Sequence, residues 1–187
     1  MIRAFHARHT FCGWISTGAE YVADMRARGK RVVIGLGNPD RGDDGAGRFA
    51  ARALAGQLPE DVEIVELDGE MTAVLDKLHN ADVAVLVDAC RGGASAGSVL
   101  RFDAVEQRLP ADAFAVSSHG VSVANALELA RALGDLPAVC IVYGIEGSHF
   151  NPGAALSAPV AMAVREVAQR VCAEFQDLQA NDRQVNA

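Results

Sequence analysis

Short apolar runs alternate with amphipathic stretches through the middle of the chain. Residues 32–37, "VVIGLG", form a β-branched run that predicts a buried strand. Residues 45–58 follow with Phe49, Ala50, Ala53 and Leu54 at helical spacing. "VEIVEL", residues 62–67, alternates polar and apolar positions and predicts a half-exposed strand. A short helix is expected over residues 72–78, with Val74, Leu75 and Leu78 on one side. "VAVLVDA", residues 83–89, is continuously apolar up to its Asp, as a strand covered on both faces would be.

The next strand, "SVLRFD", is separated from this one only by "CRGGASAG". That link is too short for a crossover helix, so these two strands are expected to pair antiparallel. Residues 121–133 predict an amphipathic helix, residues 138–146 a further buried strand, and "SAPVAMAVREVAQRVCAEF" a closing helix. Ser157 is placed as its N-cap and Pro159 in its first turn. The expected fold class is a three-layer αβα sandwich, a mostly parallel five-stranded sheet with one antiparallel edge strand.

The ends of the chain lack this pattern. Residues 1–30 mix Arg, His and aromatics without periodicity or a secretory apolar core. They read as an extension, poorly ordered or laid on the surface as a helix, or as sequence upstream of a start at Met25. The single domain is expected over residues 31–176, and residues 177–187 as a polar, fraying tail.

Composition narrows the function classes. Half of the 187 residues are hydrophobic but only 5% are aromatic, so Ala, Val and Leu supply most of the core. A formal net charge of -7 argues against nucleic-acid or anionic-membrane partners, and no apolar run of about 18 residues predicts a membrane span. Cys12, Cys90, Cys140 and Cys172 are widely spaced, which reads as reduced thiols in a cytoplasmic protein.

The chemistry gathers at the carboxyl ends of the strands, where ligands bind in such sheets. Asn38, Asp40, Asp43 and Asp44 follow the first strand. Asp68 and Glu70 follow the second, Asp88 ends the third, and Glu146 and His149 follow the last. His119 lies in "SSHGVS" just before a helix, with Arg41 and Arg91 as nearby cations. The opening loop is glycine-rich, yet it has neither GxGxxG nor GK[ST], and its aspartates would repel a phosphate. Two carboxylates and an imidazole instead form an O,O,N set suited to a divalent transition metal, with coordination positions left open.

Taken singly, each residue has a plainer reading. Asp44 favours a helix dipole as a first-turn acid, His119 starts a helix, and Asp43 turns back to cap its own loop. Cys90 is a buried thiol, and His6, His9 and His79 are solvent residues. Asp88 resists such a reading, because an unpaired carboxylate at the end of a buried strand is costly.

"GLGNPDRGDDGAG", "LVDAC", "SSHGVSVANALELARAL", "GIEG" and "LSAPV", in this order and at these separations, resemble the hydrogenase maturation protease family. The resemblance runs from about Val32 to Phe175. It implies an endopeptidase that removes a short C-terminal extension from the precursor of a [NiFe]-hydrogenase large subunit once nickel has been loaded. It also implies that Asp44, Asp88 and His119 engage the metal and carry catalysis, and that Asn38, Asp68 and Gly69 face the substrate. The implied cofactor is nickel, carried by the substrate to a divalent-metal site.

Two positions depart from the family pattern. Many relatives have Glu where Asp44 stands. The second-strand loop, commonly DGGT, here reads Asp68-Gly69-Glu70-Met71. Gly35, Gly37 and Gly42 would then let the backbone turn tightly beneath the cleft. Three other readings stay open at this point. One is a metal-sensing or chaperone module that holds a nickel protein without cutting it. Another is a peptidyl-tRNA-hydrolase-like enzyme, whose family also opens with "GLGNP". The last is a degenerate nucleotide binder.

Overall fold

A computed structural model describes residues 29–110, 112–114 and 122–185, with side chains as far as residue 180. Residues 1–28 of the N-terminal extension, with Cys12, His6 and His9, and His119 lie outside the described residues, and Lys30 already belongs to the first strand. Strand β1 (Lys30–Leu36) leads through a 3-10 segment (Pro39–Gly45) into helix α1 (Ala46–Ala53). Strand β2 (Val62–Leu67), helix α2 (Met71–Leu78), strand β3 (Ala81–Cys90) and strand β4 (Val99–Asp103) follow. Helix α3 (Val123–Leu133), strand β5 (Val139–Glu146) and helix α4 (Ala158–Val185) complete the chain.

The five strands form one sheet in the order β2-β1-β3-β5-β4, parallel except for β4. Side-chain alternation along the central strands sends apolar groups to both faces. Val32, Ile34, Leu36, Ala84 and Leu86 pack beneath α2 and α3. Val33, Val83, Val85 and Val87 pack beneath α1 and α4. The three-layer αβα class is therefore as expected, and the helices cover the sheet because both of its faces are apolar.

The antiparallel strand has a different neighbour from the one expected. β4 pairs with β5, not with β3, and β5 stands between them in parallel register with β3. A link of eight residues reaches well over 20 Å, while stepping past one strand requires only about 10 Å. Its shortness excludes a crossover helix but does not dictate adjacency.

Helix α1 also stops at Ala53, earlier than its apolar spacing suggests. The Leu54 N–H folds back to the carbonyls of Ala50 and Ala51, and Gly56 is left-handed at φ 72°. Helix α4 runs on through Val185, so the polar stretch from residue 177 continues it, and Leu178 packs against the core. Ser157 does stand at its N-cap, with its carbonyl accepting the Ala161 N–H at 2.8 Å.

Two glycines bring the first loop close to the sheet. A Cβ on Gly47 would lie 2.1 Å from the Val87 carbonyl oxygen, so α1 can sit directly on β1 and β3 only with hydrogen there. Gly37 adopts φ 111°, and a Cβ on it would lie 1.8 Å from the Asp44 carbonyl oxygen. The chain leaving β1 thus folds tightly under the segment that carries Asp44.

Candidate functional site

Chain direction locates the site before any side chain is considered. From β1 the chain moves to one side, to β2, and then returns past β1 to β3 on the other. Connections leave the carboxyl ends of β1 and β3 in opposite directions, which opens a crevice between them. Asp44 follows β1 and Asp88 lies near the end of β3, so both belong to this crevice. They line one pocket together with Leu36, Gly37, Asp68, Gly69, Met71, Val74, Ser122, Val123 and Ala126. One wall is carboxylate and the other is aliphatic.

Asp88 is 9% exposed, and among the described residues its carboxylate accepts one hydrogen bond, from the Ala89 N–H at 2.8 Å. Burial raises its pKa to about 8, the Ala89 N–H opposes the rise, and the negative charge of Asp44 adds to it. At neutral pH this carboxyl holds a proton unless a cation replaces it. Asp44 is 5% exposed and accepts the Asn38 N–H at 3.2 Å. Asn38 itself accepts the Asp40 N–H at 2.9 Å and so caps the 3-10 segment, as its loop position predicts. These bonds shape the loop and hold the Asp44 carboxylate.

Asp68 and Gly69 form the outer wall. The Asp68 carboxylate accepts the Glu70 N–H at 3.1 Å, and Gly69 takes φ 93°. Glu70 has a structural task, because its side chain caps α2 by accepting the N–H groups of Thr72 and Ala73. The altered second loop therefore ends in a helix cap and presents Met71 to the pocket.

Asp43 does not cap its own loop. It is fully buried and receives the N–H groups of Ser148, His149 and Ser157 at 2.8–2.9 Å, together with the Ser157 hydroxyl at 3.1 Å. Burial alone would raise its pKa, but these donors outweigh burial and hold it below the usual carboxylate range. Asp43 thus clasps the loop after β5 and the start of α4 to the first loop, next to Asp44 in sequence.

Glu146 is likewise structural. Its buried carboxylate accepts the N–H groups of Gly92 and Gly93 at 2.9 and 2.8 Å and ties down the loop after β3. The adjacent Cys90 thiol is pushed up to about 12 by burial and then by Glu146, so at neutral pH it is not a thiolate nucleophile. His149 is largely exposed, with its ring against the Ser148 hydroxyl at 2.8 Å and outside the pocket lining. His79 is exposed and faces Asp135 at 3.1 Å. Arg91 stacks on the Phe150 ring at 4.5 Å.

Sequence reasoning missed the aliphatic wall and Ser122. Ser122 caps α3 by accepting the Asn125 N–H at 3.3 Å, and its spacing from Asn125 was the available signal. Val123 and Ala126 carry no comparable mark, because a pocket wall and a core contact look alike in an amphipathic helix. Among the described residues, no three His, Cys, Asp or Glu side chains group closely enough to hold an ion unaided. Two buried carboxylates in one pocket still suit a cation better than any anion.

The family model for hydrogenase maturation proteases matches residues 50–174, more than half of the chain. No curated protein sequence matches. Among solved structures, the chain is similar to the hydrogenase maturating endopeptidase HybD from E. coli, at 22% identity and TM-score 0.64, over 79% of this chain and 93% of that one. It is also similar to the [NiFe] hydrogenase maturation protease HycI from Thermococcus kodakarensis, at 21% identity and TM-score 0.59, over 83% and 99%. Similarity to HybD from the same organism is 26% with TM-score 0.61, over 75% and 96%. The structural likenesses establish the common fold, and the model match establishes descent: this chain belongs to the hydrogenase maturation protease family, and it is a peptidase.

Proposed function

We propose that this peptidase removes the C-terminal extension of a [NiFe]-hydrogenase large-subunit precursor after nickel loading, and that Asp44, Asp88 and His119 engage the nickel the precursor carries. The observation that supports this most is the Asp44–Asp88 pair. Two carboxylates share a mostly buried pocket at the sheet's switch point, and their mutual repulsion helps keep Asp88 protonated near neutrality. A divalent cation entering with the substrate takes the place of that proton and offsets both charges. The imidazole of His119 adds a nitrogen ligand of the kind that suits nickel.

Asp44 and Asp88 then fix the scissile bond beside the ion. A carboxylate oxygen not engaged with the metal would take a proton from the attacking water and pass it to the leaving amine as the C–N bond breaks, and the nickel would supply polarisation of the carbonyl. Asn38 holds Asp44 in place, and Asp68 and Gly69 guide the segment being cut. The free thiols of Cys90, Cys140 and Cys172 and an acidic, non-basic composition suit a cytoplasmic reaction on a protein partner. Among the described residues, no helix is long and apolar enough to cross a membrane.

The test compares nickel-loaded and nickel-free precursor by mass spectrometry of the C-terminus. The expected result is cleavage of the loaded form alone, abolished by Asp88→Ala and by His119→Ala with the fold retained. Equal cleavage of both forms would remove nickel recognition from the account. Binding of loaded precursor without cleavage would turn it into a non-catalytic holder.

A further inference from the structure

Among the described residues, the sheet has an open edge beside the pocket. Among these residues β2 pairs with β1 alone, and in a parallel ladder alternate residues turn their N–H and C=O groups toward the partner strand. The Leu67 carbonyl accepts the Gly37 N–H at 3.1 Å, so Leu67, Val65 and Glu63 face β1. The even-numbered residues therefore present their backbone groups to the other side. The Val62 N–H is taken by the Pro59 carbonyl at 3.0 Å. Among the described residues, no partner takes the backbone N–H or C=O of Ile64 or of Glu66.

These groups lie on the path to the catalytic pocket. Asp68, two residues beyond Glu66, lines it, and at 3.3 Å per residue that is a distance of about 7 Å. The opposite edge, β4, contributes no pocket residue. Side chains next to the open edge are already engaged: Glu66 pairs with Arg48 and Arg52, and Glu63 with Lys77. What remains for a partner to satisfy is main chain.

We infer that the free edge of β2 is the docking strand for the precursor. An extended segment of the precursor pairs with Ile64 and Glu66 as a sixth strand, and the chain continuing past Asp68 enters the pocket. The occupant is a polypeptide in β conformation, with no proline at the two residues that face Ile64 and Glu66. Main-chain pairing supplies affinity without demanding a particular sequence, and the pocket supplies selectivity. This inference rests on the proposed cleavage of a nickel-loaded precursor.

The experiment uses the full chain and the nickel-loaded [NiFe]-hydrogenase large-subunit precursor, with two variants at one position. Glu66→Ala and Glu66→Pro both lose the ion pairs with Arg48 and Arg52, but only proline removes the outward N–H. Proline is tolerated on an edge strand when its missing donor faces away from the sheet. The expected result is that kcat/KM for Glu66→Pro falls at least about tenfold below that for Glu66→Ala, which keeps the outward N–H. Equal activity of the two variants would overturn strand addition while leaving the proposed function intact. Failure of the unaltered chain to cleave would overturn both.

Amide hydrogen exchange gives a second readout that does not depend on how the proline variant folds. In the unaltered chain saturated with nickel-free precursor, which should not be cleaved, the Ile64 and Glu66 amides should exchange at least about tenfold more slowly than without precursor. Unchanged exchange there, or full protection already present in the unbound protein, would overturn the inference.

Discussion

Replacing Asp88 by Asn should make the protein more stable and, at the same time, inactive. The Ala89 N–H bond at 2.8 Å needs only an acceptor oxygen, which Asn retains, and the volume is unchanged. What disappears is the charge. In the unfolded chain the Asp88 carboxyl titrates near 3.8, whereas in the fold burial and then Asp44 raise it to about 8. Between those values the unfolded chain has released its proton and the folded chain still holds it. Each rise in pH therefore favours unfolding, and the stability this group allows below pH 3.8 is lost progressively up to pH 8.

At pH 7 the interval is about 3 pKa units at about 1.4 kcal/mol each, a ceiling of about 4 kcal/mol. Water entering the mouth of the pocket lowers the expected gain for Asp88→Asn to about 1–3 kcal/mol at pH 7, with almost none near pH 4. Urea unfolding of both proteins at pH 4, 5, 6, 7 and 8 in the presence of chelator measures the difference directly, at constant m-value. A gain that does not change with pH, or a loss at pH 7, would refute the claim that Asp88 is a buried carboxyl carrying an electrostatic cost for function.

Asp43→Asn should have the opposite effect. It turns an amide NH2 toward backbone donors and costs about 2–3 kcal/mol at pH 7 by thermal or urea unfolding. Because the Asp43 pKa is lowered in the fold, its contribution is present above pH 3.8 and lost as pH falls through its folded value, so the difference from Asn should shrink in acid. Gly47→Ala places a methyl 2.1 Å from the Val87 carbonyl oxygen and should cost about 2–3 kcal/mol in the same unfolding assay, with cleavage reduced because α1 and the first loop must shift. Cys90→Ala should retain at least about half of the cleavage rate, since a thiol pushed up to about 12 is no nucleophile at neutral pH. Loss of all activity in that variant with its fold intact would place Cys90 in the reaction.

The strand set was legible because period and length agree. The run at residues 83–87, apolar at successive positions, rich in Val and too short for a helix, reads as a strand covered on both faces, and the Asp88 that follows it stood out for the cost of its burial. Asp44 was legible through its place after the first strand, and the switch point then explains why it meets Asp88. The pairing of β4 was not legible, because loop length limits how far a chain can reach and not where it stops. The task of Asp43 was hidden for a related reason. Its donors come from residues 148, 149 and 157, more than a hundred positions away, and no local pattern records them. Glu70 was read as a strand-end acid when its spacing from Thr72 and Ala73 already marked a helix cap.

The central claim is that the pocket's carboxylates and His119 converge on the nickel delivered by the precursor. Anomalous scattering at the nickel edge, from crystals of the protein with Ni2+ or with loaded precursor, tests it most directly. The account predicts one peak bonded to Asp44, Asp88 and His119 at about 2 Å. A peak elsewhere, or these three side chains more than about 10 Å apart, a span no single ion bridges, would contradict it.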